Sequence, residues 1–472
     1  MSRNGCRAGN CASRMSRRGF LGAAGAAAAA AQLDLFGFAS SLFAQEAKPA
    51  GKPTVNVCFI RPEKPLVVSW PGGNCDTAAQ QALFTKTLTD AAEKLGVQLQ
   101  VHATPLEKKE EAAAYLEQLK KTPPDGLIVC AMCLFRWEPV NLIVANRGDI
   151  PTVIYSNLSG FTGNLQCGRN VPKTFMGATQ DVGWLATALR MLNTAWQMRN
   201  TRVLVVAGAS EDKVVPGLGT TFHYVPRTRF EEEFKKIETT DEVRAIADFY
   251  EKTAQKVVEP SKAEIVEAAK NYFVIRRLME AEKCQGITIA CLGWKNPVCM
   301  AFSKLLDEGI VAGCEADLNA ALGMLLSIQL LGRPGFIQDP SPNTVNNTLI
   351  GAHCTSPTRL EGPDSDYRAP YLLRSYHTNT GASPQVLWPV GKNCTVMTFA
   401  GPGALLVGTG RVRANVPQPP SGCCRTAVEV ELDGVADSRD VKGFHQLFIL
   451  GNQGRTLRAW GQLAGIKVAS IG

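Results

Sequence analysis

Histidine is scarce in this chain, with five in 472 residues, so a site built on imidazole has few places to stand. Charged residues make up 19% and aromatics 7%, and no stretch interleaves basic with aromatic side chains, which excludes an evident nucleic-acid surface. Runs such as Glu107-Lys108-Lys109-Glu110-Glu111 mix both signs and read as solvated helix faces. No GxGxxG follows the first apolar strand-like run, and WPGGNC lacks the spacing, which excludes a nicotinamide fingerprint. There is no HExxH. No uncharged apolar run approaches the ~20 residues of a membrane-spanning helix. Cys130 and Cys133 form a CxxC without a second copy, and their frame GLIVCAMCLF reads as core packing, not as zinc ligation.

What is present at the start is an export signal. Ser16-Arg17-Arg18-Gly19-Phe20-Leu21 matches the twin-arginine pattern, an alanine-rich run follows to Gln32, and small residues near Phe43-Ala44 offer a cleavage site. Residues 1–44 are therefore expected to be removed and the remainder to be periplasmic or extracellular. Those 44 residues hold five arginines and one aspartate, so the formal charge of +8 falls by 4 to +4. The 428 residues left are enough for two or three domains with full cores. Losing Cys6 and Cys11 from the fifteen cysteines leaves thirteen, an odd number, and spacing assigns no disulfide.

Three blocks follow. Over 53–165 the apolar runs TVNVCFI, VQLQVHA, GLIVCAM and IPTVIYS alternate with helical spacing at Thr77–Leu95 and in the charged segment Leu106–Lys121. This predicts a doubly wound, parallel, helix-flanked sheet. Over 166–348 the pattern repeats, with TRVLVVAG and GITIACLG as strands and Ala178–Thr194 as a helix, for a second sheet of the same kind. The strand Thr288–Gly293 opens onto WKNP, so Trp294 and Lys295 stand where such sheets bind ligands. Over 349–472 helical periodicity fades. CTVMTFA, ALLVGTGRVR, AVEVELDG and HQLFILG give a β-rich, barrel-like domain closed by an amphipathic helix at about Gly454–Ala464. The expected fold class is α/β, two Rossmann-like sheets followed by this domain.

Between Cys314 and Cys354 lie Glu315 at the head of an apolar helix, Asp339 past a Gly/Pro break, and His353 in an apolar stretch; His445 arrives in GFHQLFILGN. Each has an ordinary structural role available: a first-turn acid for Glu315, a turn aspartate for Asp339, a hydrogen-bonded core residue for either histidine. Together, at the ends of predicted elements, they offer oxygen and imidazole donors suited to a hard or borderline divalent ion such as manganese.

From about Cys284 to Gly472 the chain resembles the L-fucose isomerase and L-arabinose isomerase superfamily, particularly the fucose isomerase-like branch. The resemblance rests on NPVCMAFSKLLDEGIVAGCEADLNAAL, GFIQDPSPNTVNNTLIGAHCTSP, CTVMTFAGPGALLVGTGRV and FHQLFILGNQGRTLRAWGQLAGIKV, and is weaker over 53–283. It implies a manganese-dependent aldose–ketose isomerase in which Glu315, Asp339 and His445 hold the metal. His353 stands where the arabinose branch adds a histidine. Glu315 and Asp339 would move the proton between C1 and C2 of a sugar, with His377, in SYHTNTG, lining the sugar site. The resemblance also implies a homo-oligomer, trimer or hexamer. Two other readings stay open at this level: an exported sugar-binding protein, and a relative that has lost isomerase activity or acts on another polyhydroxy compound.

Overall fold

A computed structural model describes residues 51–64, 67–68, 75–132, 136–157 and 162–472. The proposed signal, Cys133 and residues 70–74 of WPGGNC lie outside the described residues.

The first sheet takes the order β4-β1-β5-β6-β7, all parallel, from β1 (Thr54–Ile60), β4 (Gln98–His102), β5 (Gly126–Ala131), β6 (Thr152–Ser156) and β7 (Thr174–Ala178). Two-residue strands β2 (Val67–Val68) and β3 (Cys75–Asp76) form a small separate pair. Because β5 and β6 are covered on both faces they are buried throughout, as their unbroken apolar runs require. Cys130 lies in this core. The helix Thr77–Leu95 has a clear start and stop. Asp76 accepts from the Ala78 and Ala79 amides, and Gly96 closes it at φ +68°, a left-handed conformation that costs glycine little. The sheet continues through β7, past residue 165.

The second sheet runs β13-β12-β8-β10-β9, from β8 (Arg202–Val206), β9 (Glu211–Val214), β10 (Thr221–Val225), β12 (Gly286–Ile289) and β13 (Val311–Cys314). Four strands are parallel, and β9 is an antiparallel edge on β10. The helix expected at Ala178–Thr194 spans Trp184–Asn200. A third, small sheet joins β11 (Lys256–Val257), β16 (Tyr371–Arg374) and β17 (Ser383–Val386).

The β-rich region closes on itself. β14 (Phe336–Asn343), β15 (Thr348–His353), β18 (Asn393–Phe399), β19 (Ala404–Asn415), β20 (Thr426–Leu432) and β21 (Gln446–Leu450) pair in the ring β18-β21-β14-β15-β20-β19, and β19 returns to β18. This is a six-stranded barrel, with β22 (Lys467–Ser470) added in parallel to β19. Phe336, Trp388 and Phe448 pack ring to ring in its core. Gly351 is required there, since a Cβ would lie 2.5 Å from Gln338 and 2.6 Å from the Phe448 ring.

The barrel begins at Phe336, ahead of residue 349. Asp339 therefore stands on a barrel strand instead of in the second α/β block. Its strand contains Pro340 and Pro342, which reads as a turn. A strand survives because β21 pairs with β14 only as far as Gln338; beyond that β14 has β15 on one side alone, where missing amides are tolerated. Helix Leu318–Leu326 packs on β18 and β21, while helix Cys299–Asp307 is tied to the chain after β15 by a buried carboxylate. Asp307 accepts from the Thr358 and Arg359 amides at 2.7 Å each and pairs with Arg368 at 2.8 Å.

Candidate metal centre

The barrel register brings three donors to one rim. Asp339 on β14 lies opposite Ala352 on β15, one residue before His353, and Gln338 lies opposite Gln446 on β21, one residue after His445. Strands β14 and β15 and the residue just before β21 thus bring Asp339, His353 and His445 side by side. The fourth donor comes from the other layer, since Glu315 directly follows edge strand β13 of the second sheet.

Glu315 is not in the first turn of a helix. It and Ala316 have φ +62° and +55°, left-handed conformations that cost non-glycine residues on the order of 1 kcal/mol or more each. The kink is held by the Ala316 amide donating to the Ile289 carbonyl at 3.0 Å. It turns Glu315 toward the barrel rim, and the helix starts only at Leu318, capped by Asp317.

Glu315 Oε1 lies 3.4 Å from His353 Nε2, and its Oε2 lies 3.5 Å from His445 Nε2. His445 Nε2 is 3.1 Å from Asp339 Oδ1. Donor atoms of Glu315, His353 and His445 all lie within 4.8 Å of one another, and Asp339 joins them through His445. Both histidines are buried, whereas the Asp339 side chain is 42% exposed and forms the open side.

Asp317 is the residue of this cluster that the sequence does not announce. Its Oδ1 accepts from the Ala320 amide at 2.8 Å as the helix cap, and its Oδ2 lies 2.8 Å from His445 Nδ1. Asp317 thereby orients the ring and leaves Nε2 facing the two other carboxylates, the second-layer arrangement typical of a metal-ligating histidine. The capping pattern was visible in Asp317-Leu318-Asn319-Ala320; the second role depends on a residue 128 positions away.

The electrostatics keep the carboxylates of the cluster ionised. The Glu315 carboxyl is held below its usual range by the adjacent His353 imidazole, against burial, and Asp339 by the adjacent His445 imidazole. Burial raises Asp317, but His445 and the helix amides outweigh it and bring it down. Burial alone would lower His445; Asp317 and Asp339 overcome that and raise it to about 9. Asp339 Oδ1, His445 Nε2 and both His353 ring nitrogens are buried yet have no aligned hydrogen-bond partner, although some stand close enough for ion pairing. Unpaired buried polar atoms are costly, and a divalent ion among two imidazoles and two carboxylates would satisfy this set.

Of the other expected site residues, His377 interacts electrostatically with His353 and Glu315, whereas Trp294 and Lys295 lie in the loop after β12. Trp294 is buried, its ring 4.8 Å from the Phe230 ring and 4.7 Å from the Arg227 guanidinium, which makes it a packing residue for helix Arg227–Lys235. Lys295 is exposed in the same loop. His377 is half-buried, 3.9 Å through Nδ1 from Cys354 Sγ. Burial, then the charges of Arg425 and His353, push its imidazole down. Among the cysteines, Cys291, Cys299, Cys314, Cys354, Cys423 and Cys424 are free thiols.

With this geometry in view, similarity to known proteins is local. A 60-residue segment is 41% identical to sulfoquinovose isomerase of Clostridium sp. (strain MSTE9), covering 12% of this chain and 13% of that enzyme. The similarity is thus to a sugar isomerase, over a small part of its length. No family model matches the chain. The sugar-binding protein of a sugar ABC transporter from Bacillus halodurans aligns with TM-score 0.18 and 14% identity over 60% of this chain and 90% of that one. Among the described residues no helix is long and apolar enough to cross a membrane.

Proposed function

We propose that this protein is a metal-dependent aldose–ketose isomerase acting on a sugar through an enediol intermediate. The observation that carries the reading is the meeting of Glu315, just beyond the second sheet, with His353 and Asp339 of two barrel strands and His445 just before a third. The local similarity to a sugar isomerase agrees with it.

Glu315, Asp339, His353 and His445 would hold the ion, manganese by the hardness of the carboxylate donors. When bound, the ion supplies Lewis-acid polarisation of the substrate's oxygens and a template for their orientation. The rest falls to the chain. Glu315 and Asp339 are both held ionised, so each enters the reaction as a proton acceptor. One takes the proton from the carbon beside the carbonyl and returns it to the neighbouring carbon, while the other exchanges the hydroxyl proton. Asp317 keeps His445 turned so that Nε2 remains a donor.

The same proposal takes residues 1–44 as a twin-arginine leader that exports the folded protein. Arg17→Lys with Arg18→Lys should retain the protein inside, and undiminished export would remove this part. A homo-oligomer, trimer or hexamer, belongs to it too, because Phe444 beside His445 is 70% exposed and would be covered by a neighbouring subunit.

The test is metal content of the purified protein, paired with a manganese-supplemented screen for ketose formation over pentoses, hexoses, 6-deoxyhexoses and 6-sulfo sugars. Turnover lost on chelation and restored by manganese is expected. Absence of bound metal after manganese loading would end the reading.

A further inference from the structure

On the far side of the His353–Cys354 peptide bond lies a second set of donors of different chemistry. Cys354 Sγ, His377 Nδ1 and Cys424 Sγ come from three separate segments: the end of β15, the turn after β16, and the proline-rich chain before β20. Their donor atoms lie within 4.8 Å of one another, and Cys354 Sγ is 3.9 Å from His377 Nδ1. Zinc–sulfur and zinc–nitrogen distances of about 2.3 and 2.0–2.1 Å place two tetrahedral ligands about 3.5 Å apart, so only a small adjustment separates this trio from a ligating geometry.

The surroundings hold the trio in place. Arg425, fully buried, donates through Nε to the Ser375 carbonyl at 2.6 Å and through Nη2 to the Tyr376 and Pro420 carbonyls at 3.1 and 3.0 Å. Its Nη1 donates to the Pro419 carbonyl at 2.9 Å. One guanidinium thus fastens the segment before His377 to the segment before Cys424. The Gly422 amide adds a direct bond to the His377 carbonyl at 3.0 Å. The Tyr376 ring lies 3.8 Å from the His377 ring and fixes its plane. Cys354 is anchored where the Ser383 hydroxyl donates to its carbonyl at 2.6 Å, and Cys299 packs behind it from the core.

We propose that Cys354, His377 and Cys424 form a second metal site, for a thiophilic divalent ion of the zinc class, distinct from the carboxylate–imidazole centre. Two thiols and an imidazole suit zinc and are poor partners for manganese. Each thiol gives up its proton to solvent as its sulfur–metal bond forms, so two thiolates neutralise the divalent charge. Cys354 is buried, but Cys424 and His377 are half-buried, which leaves the fourth tetrahedral position to water on the exposed side. Three protein ligands with one open position characterise a zinc ion that takes part in chemistry or ligand exchange, in contrast to the closed four-ligand structural type.

Cobalt(II) titration of the full, thiol-reduced chain tests this. Cobalt held by thiolates gives an intense near-ultraviolet charge-transfer band that a carboxylate–imidazole site does not. One equivalent should develop the band, zinc should bleach it, and Glu315→Gln should leave it in place. Cys424→Ser should abolish it, and His377→Gln should weaken cobalt binding at least tenfold, with thermal melts confirming that each variant is folded. Should Cys424→Ser fail to fold, His377→Gln decides alone. No band with all thiols reduced, a band that survives both variants, or a Cys354–Cys424 disulfide in the isolated protein would each overturn the site.

Discussion

The first sheet is five parallel strands with helices on its faces, and the second is four parallel strands with one antiparallel edge; the donor clusters found among the described residues lie with the second sheet and the barrel. The difference comes from what leaves the sheets at their edges. Beyond β13 the chain takes two left-handed residues, Glu315 and Ala316, and throws a carboxylate toward the rim of a barrel. The first sheet contributes buried apolar surface, with Phe84 and Tyr155 edge to face at 5.2 Å. One α/β layer supplies stability and the other supplies one wall of a site, although their sequences have the same rhythm. Architecture alone does not assign the chemistry.

The contrast is broken most severely at Glu315. Glu315→Gln should cut turnover by about 10²–10⁴-fold while the melting temperature stays close to wild type; turnover near the wild-type rate would remove Glu315 from the reaction. In the first sheet the effect should be reversed in kind. Phe84→Ala, at a fully buried site, should cost about 3–5 kcal/mol of stability in denaturant titration and leave kcat/KM per folded molecule unchanged.

Asp317→Asn sharpens the comparison, because asparagine still caps the helix while its side chain no longer carries charge to His445. Manganese affinity by calorimetry should fall about 10–100-fold with the helical circular dichroism intact. An unchanged affinity would reduce Asp317 to a cap.

The pH dependence follows from His445, which burial would lower but which Asp317 and Asp339 raise to about 9. In chelator, its contribution to stability is fully present below the ordinary histidine pKa of about 6.5 and is lost as pH rises through about 9. Metal binding should run the other way and weaken as pH falls below about 9, because the proton occupies the ligand. Thermal melts of the chelated protein across this range check the first sign, and manganese titrations the second. The smallest effect is expected at Ala316, where Ala316→Gly relieves a left-handed residue and should raise stability by less than ~1 kcal/mol.

Much of the scaffold was readable because its signals are local. TVNVCFI, GLIVCAM, IPTVIYS, TRVLVVAG and GITIACLG all contain parallel strands, and helices Thr77–Leu95 and Gly454–Ala464 have the bounds that their patterns suggest. Strands β7 and β10 escaped notice; TFMGA and TFHYV are short and only partly buried, so their apolar runs are interrupted. Asp339 looked like a turn residue because Pro340 and Pro342 argue against a strand, and that rule yields where one side of the strand is unpaired. Trp294 stands in the loop after β12 and packs on Phe230, a contact between residues 64 positions apart that sequence spacing does not announce. The thiol–imidazole trio was invisible, since its members meet only through the long-range ties of Arg425.

Asp317 also bears on the timing of assembly. A single carboxylate both starts helix Leu318–Leu326 and receives His445, the residue before strand β21, long after the helix has emerged. The helix can be capped early, yet the ring it must orient arrives only once most of the barrel has been made, and a contact spanning 128 residues is slow to form. Competence to hold an ion should therefore appear as one of the last events of folding, which makes metal uptake during refolding a clock for completion of the barrel.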